Sequence, residues 1–200
     1  MKKNILLALA AVILISAAAE PLMAYTLLSP ARRWATTPIS VRTYTAGNPT
    51  ITDGSGGVNA TVSAIRAWGI ISSSTTSSAA VRGSAPATIM LNTNGGVCTG
   101  GCLAATLTGY YSNIGGGQYR IYDADVYTNT AQPLYSSGEA GCSGEYDVNG
   151  IMVHEVGHVI GLGHSSVSGA TMYPSVSACN TANRTLETDD INGRKALYGQ

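Results

Sequence analysis

The spacing of apolar positions changes several times along the chain, and each change predicts an element. Ile5 to Ala19 is an apolar run broken only by Ser16, and it follows a basic Met1-Lys2-Lys3 start. That build is a secretory signal peptide. It is shorter than the roughly 20 residues a membrane-spanning helix needs. Ala17-Ala18-Ala19 fits the small-x-small cleavage pattern, whereas Leu22-Met23-Ala24 puts a large residue at −3. Because Tyr25 to Leu28 has the look of folded chain, residues 1–24 are assigned to the signal and residues 25–200 to the mature domain. No cysteine directly follows the run, which argues against a lipid anchor.

Within Trp34 to Thr45, Pro-Ile-Ser-Val-Arg-Thr-Tyr alternates apolar and polar and predicts a strand. Val58, Val62, Ile65, Ala67, Trp68 and Ile71 recur at helical spacing and predict one amphipathic helix over 58–71. Ser72 to Ser78 reads as a polar loop. Strands follow at Ala87 to Asn92, Leu103 to Tyr111 and Gln118 to Thr128, with a glycine-rich loop from Asn94 to Gly101. Asn129 to Tyr146 has no regular period. Asp147 is the expected N-cap of a helix that Gly161 ends near Ile160, and Thr188 is the expected cap of a last helix over 189–198. No repeat and no linker divides the chain.

Composition narrows the classes. Hydrophobic residues make up 44% of the chain and charged residues only 11%, with a formal net charge of zero. Such a surface is not built for nucleic acid or anionic lipid. The four cysteines allow three pairings, and export permits oxidation. Cys98–Cys102 is favoured because it closes a tight glycine-rich loop. Cys142–Cys179 ties the stretch before the histidines to the stretch after them.

The chemistry concentrates in His154-Glu155-Val156-Gly157-His158-Val159-Ile160-Gly161-Leu162-Gly163-His164, which holds all three histidines of the chain. Residues four apart lie on one helix face. His154 and His158 can therefore each bring a nitrogen to about 2.0–2.1 Å from one Zn²⁺. Gly161 lets the chain turn back so that His164 becomes the third ligand. Three protein ligands leave a position for water, and Glu155, next to the first ligand but not one itself, is the expected general base. The extended H-E-x-x-H-x-x-G-x-x-H pattern is specific, far more so than its first five residues alone.

This segment resembles the metzincin metallopeptidases and, among them, the matrixins. Ser165 after the third histidine fits that group, and Ala170-Thr171-Met172-Tyr173-Pro174 resembles its Met-turn, with Met172 as the apolar floor under the metal. Leu186 to Gly193 and Ala196-Leu197-Tyr198-Gly199 resemble its C-terminal helix, whose paired acids match Asp189 and Asp190. The likeness implies an α+β metzincin fold: a twisted, mostly parallel sheet with an antiparallel edge strand, a backing helix, the active-site helix and a small C-terminal subdomain. It implies an edge strand at Gly100 to Thr106, making Leu103 and Ala104 candidate backbone contacts to substrate, with an ordinary sheet strand as the competing reading. Pro174 and Val176 fall in the wall of the specificity pocket, where Val176 replaces a customary tyrosine and leaves the preference open.

Departures from the family matter too. Ala105 replaces a histidine of a second, structural zinc site, so one zinc per chain is expected. Asp123 and Asp125 match part of an acidic calcium-binding run, but Val126 interrupts it. Calcium is doubtful on this pattern, and the two read as strand-end aspartates. No cysteine-switch segment is expected before Trp34. The resulting expectation is a secreted, monomeric zinc endopeptidase acting on proteins or peptides by a zinc-bound water. Its rival is a non-catalytic, zinc-stabilised peptide-binding module, which a substituted Glu155 would have favoured. A metallohydrolase with a non-peptide substrate is a third reading.

Overall fold

A computed structural model of the chain describes residues 24–84, 86–111, 117–136 and 141–200. All of the expected signal segment except Ala24 lies outside these residues. Five strands form the body of the sheet in the order β1 (Arg32–Arg33), β6 (Tyr119–Thr128), β4 (Ala87–Met90), β2 (Ile39–Tyr44) and β3 (Ile71–Thr76), all paired in parallel. β5 (Ala104–Tyr111) runs antiparallel along the other side of β6 and, among the described residues, pairs with no other strand. A parallel sheet with an antiparallel edge is the architecture the family resemblance implied.

One face of the sheet is closed by two helices, α1 (Val58–Ala64) and α2 (Val148–Val159). Ile39 and Val41 of β2, Ile89 of β4 and Val126 of β6 meet Trp68, Val148, Met152 and Val156 in one core. Trp68 is fully buried and still satisfied, because its indole N–H donates to the Val153 carbonyl oxygen at 2.8 Å. The remaining helix, α3 (Thr188–Tyr198), follows the histidine segment and packs Leu197 into the same core.

Several boundaries differ from the sequence expectation. The helix expected over 58–71 is α-helical only to Ala64. It tightens to a 3₁₀ turn over Ile65–Trp68 and stops at Gly69, which has φ +70°. The serine-rich stretch read as a loop is strand β3, held in register with β2 over six residues. Its polar residues suit an edge strand with an exposed face. The irregular stretch contains β7 (Leu134–Tyr135), which pairs with β8 (Tyr146–Asp147). Thr188 is not the cap of α3. Glu187 is, in a capping box where its own N–H donates to Asp190 at 2.9 Å. Asp147 does cap α2, accepting from the Gly150 N–H at 2.9 Å, and its buried carboxylate also takes both arms of Arg184 at 2.8 Å. Both favoured disulfides, Cys98–Cys102 and Cys142–Cys179, are formed.

Asp123 and Asp125 are not at a strand end. They lie inside β6, both buried, beneath the loop that brings the Gly83 N–H to Asp123 at 2.7 Å. Burial, followed by the neighbouring Asp123 carboxylate, pushes Asp125 up to about 6, while a backbone N–H and the charges of Arg82 and Arg42 pull the other way. The folded chain therefore holds a proton that the unfolded chain releases near pH 4, and wild-type stability falls as pH rises from there to about 6. Asp125→Asn is expected to remove this slope. In denaturant titrations it should gain about 1–3 kcal/mol at pH 7.5 and nothing at pH 3.5.

Candidate active site

The histidine segment folds as its spacing predicts. α2 carries His154, Glu155 and His158, and then ends in a glycine C-cap. The Leu162 N–H donates back to Gly157 at 2.9 Å and the Gly161 N–H to His158 at 3.0 Å, the bond pair of a Schellman motif. Gly161 sits at φ +110°. The turn sends the chain back to His164, whose ring centroid lies 5.3 Å from that of His154 and 4.9 Å from that of His158. One ligand nitrogen from each of the three rings falls within 4.8 Å of the others.

Hydrogen bonds set the tautomers. His154 Nδ1 lies 2.7 Å from the Thr171 carbonyl oxygen and His158 Nδ1 lies 2.8 Å from that of Leu162. A carbonyl can only accept, so each Nδ1 carries its hydrogen and each Nε2 keeps a lone pair for a cation. Burial, helped by His158, pushes His154 down to about 3, and burial also lowers His158 and His164. Three neutral imidazoles turned toward one point are a donor set that fits Zn²⁺. Such an ion would be held by His154, His158 and His164.

Met172 is buried under this helix. A Cβ at Gly157 would lie 2.1 Å from the Met172 sulfur and 2.9 Å from Trp68, so the helix needs glycine there to let the thioether beneath it. The Met172 turn is braced from α3: Asp190 accepts from the N–H groups of Thr171 and Met172 at 2.8 and 2.9 Å. Asp189 accepts from the Ser165 hydroxyl at 2.6 Å and from the backbone N–H groups of Ala24 and Tyr25 at 3.0 and 2.9 Å.

A cleft of about 320 Å³ opens beside the histidines and is lined by His154, Glu155 and His164. Leu103, Ala104, Pro174 and Val176, the four candidate substrate contacts, line the same cleft. Tyr146, Ile151 and Asn183 also line it, and no periodicity pointed to them. Glu155 is 5% exposed, and burial pushes its carboxyl up to about 7 against a lowering hydrogen bond from Thr106. That bond, from Thr106 Oγ1 to Glu155 Oε2 at 2.6 Å, joins the edge strand to the active-site helix. Nothing in the sequence pattern could reveal it, because the two residues are 49 positions apart. Equally hidden was the amino-terminal strap. Leu27 bridges Leu162, the Gly163 N–H donates to Thr26 at 2.8 Å, and the Thr26 hydroxyl donates to the His164 carbonyl at 2.7 Å.

The matrixin family model matches residues 39–199. Metalloendoproteinase 1 of Glycine max is 40% identical over 78 residues, which cover 39% of this chain and 24% of that protein. Neutrophil collagenase of Homo sapiens is 39% identical over 84 residues, 42% of this chain and 15% of the collagenase. Metalloendoproteinase 4-MMP of Arabidopsis thaliana is 47% identical over 53 residues, 26% of this chain and 15% of that protein. The matches thus span less than a quarter of the length of these relatives. With the family model running from the second sheet strand to the end of α3 and the three histidines gathered at its centre, the chain belongs to the matrixin family.

Proposed function

We propose that this chain is an exported zinc-dependent endopeptidase that hydrolyses internal peptide bonds, with His154, His158 and His164 as zinc ligands and Glu155 as general base. The observation that carries the reading is the convergence of one ring nitrogen from each of three histidines beside a buried carboxylate, in a cleft bordered by a strand edge that is unpaired among the described residues. A zinc ion bound there supplies a Lewis acid that polarises a carbonyl and makes water more acidic.

The protein's own groups do the rest. Glu155 takes a proton from the attacking water and later passes it to the departing amine. Substrate lies extended against β5, where Leu103 and Ala104 offer backbone groups and Pro174 and Val176 form the facing wall. The carbonyls of Thr171 and Leu162 hold the His154 and His158 imidazoles, and Met172 packs beneath the helix that carries them. Processing removes residues 1–24. A chain beginning at Ala24 or Tyr25 would put an α-ammonium on Asp189, which supports processing at or next to this boundary. The mature enzyme works as a monomer on protein or peptide substrates. No helix among the described residues is long and apolar enough to cross a membrane.

The test uses mature wild-type chain with casein and with internally quenched peptides, products being identified by mass spectrometry. Internal cleavage that stops with a zinc chelator and returns with zinc is expected. Tight binding of the same peptides without cleavage would favour the zinc-stabilised binding module instead.

A further inference from the structure

β5 touches the site twice. Ala104 lines the cleft, and two residues along the strand, on the same face by the period of two, Thr106 reaches α2. Its Oγ1 is 2.6 Å from Glu155 Oε2 and 3.1 Å from the Glu155 carbonyl oxygen. A hydroxyl has one hydrogen to give, and the shorter contact, to a carboxylate, is the stronger kind of bond. Among the described residues, Thr106 is the side chain that hydrogen-bonds this carboxylate, and Oε1 is left without a protein partner. An untethered glutamate samples several rotamers, and ordering it carries an entropic cost at every turnover. A tethered one presents Oε1 in a constant position.

Resting on the hydrolase reading above, we infer that Thr106 is a positioning residue for proton transfer. Its hydroxyl holds the Glu155 carboxylate in the rotamer that presents Oε1 to the cleft, and it ties that rotamer to the strand along which substrate is laid. A threonine held only for its shape would serve equally well as valine. A hydroxyl held for its hydrogen bond would survive as serine.

The experiment compares Thr106→Val and Thr106→Ser with wild type and Glu155→Gln on one quenched peptide. Zinc content, melting temperature and the ¹³Cδ resonance of Glu155 in the metal-free chain are recorded for each. Thr106→Val is expected to lower kcat by about 10-fold or more, the scale of a lost hydrogen bond to a charged group, with KM little changed. It should keep one zinc and shift the Glu155 resonance, while Thr106→Ser restores both kcat and resonance. Wild-type kcat in Thr106→Val, or a serine variant as impaired as the valine one, would overturn the inference. So would loss of zinc or of cooperative melting in Thr106→Val, which would make Thr106 a structural residue. If wild type and Glu155→Gln are equally active or equally inactive, the hydrolase reading fails instead. The Glu155 resonance then still decides whether Thr106 sets that carboxylate.

Discussion

Glu155→Ala is expected to keep its zinc and its fold while losing nearly all turnover, about 10²–10⁴-fold in kcat, the usual loss when a general base is removed. Zinc retention follows from the geometry. The carboxylate is no member of the imidazole cluster, and the His154 and His158 tautomers are set by the Thr171 and Leu162 carbonyls, which the substitution leaves alone. Fold retention follows from position. Glu155 makes no ion pair among the described residues, and its lost partner, the Thr106 hydroxyl, still has the Glu155 backbone carbonyl within 3.1 Å. His158→Ala should behave oppositely, losing metal first and turnover as a consequence, because a ligand has gone. Metal analysis after dialysis, set beside peptide cleavage, separates the two variants. An alanine variant at Glu155 that sheds zinc as readily as one at His158 would assign the glutamate to the architecture of the site.

Gly161→Ala is expected to be among the most damaging single substitutions in the chain. At φ +110° any side chain is strained, and the new Cβ would sit 2.1 Å from the Arg32 carbonyl oxygen, a backbone atom that cannot swing aside. Relief requires either unwinding the C-cap or pushing the amino-terminal strap away. The first loses the bonds to Gly157 and His158 and displaces the Leu162 carbonyl from His158 Nδ1. The second breaks the 3.0 Å bond from the Leu28 N–H to the Gly161 carbonyl and the neighbouring contacts of Thr26 with the His164 turn. Backbone strain with a steric clash in a packed site belongs to the tail of destabilising mutations, about 4 kcal/mol or more. A fall in melting temperature together with weakened zinc retention is the expected result. Near-wild-type melting would show that the turn has more freedom than its contacts indicate.

How much of this was legible in advance varies with the range of the interaction. The gathering of the three histidines beside Glu155, the N-cap at Asp147 and the break at Gly161 are local. Their physics is written within a few residues, where i,i+4 spacing and a glycine after a helix leave few other outcomes. Both disulfides were legible because few pairings exist and loop closure discriminates among them. Strand β3 was not, since Ser72 to Thr76 carries loop composition and becomes a strand only by pairing with β2. The cap of α3 was assigned one residue too late, because Asp190 bonds the Glu187 N–H while also bracing the Met172 turn. Asp123 and Asp125 looked like strand-end acids and proved to be buried within β6. Thr106 and the Thr26 strap lie beyond any periodicity argument, each being 49 or more residues from its partner. The pattern is general: chemistry that one helix and one turn can present was readable, and the contacts that hold it in place come from the rest of the fold.

In the proposed mechanism one zinc ion, held by these three histidines, drives peptide-bond cleavage. Its most direct test is a titration of metal-free mature chain with zinc while cleavage of a quenched peptide is followed. Activity is expected to rise in proportion to added zinc and to saturate at one ion per chain, and His164→Ala is expected to recover no activity at the same concentrations. Activity that persists in the metal-free chain, or that saturates only at two ions per chain, would contradict it.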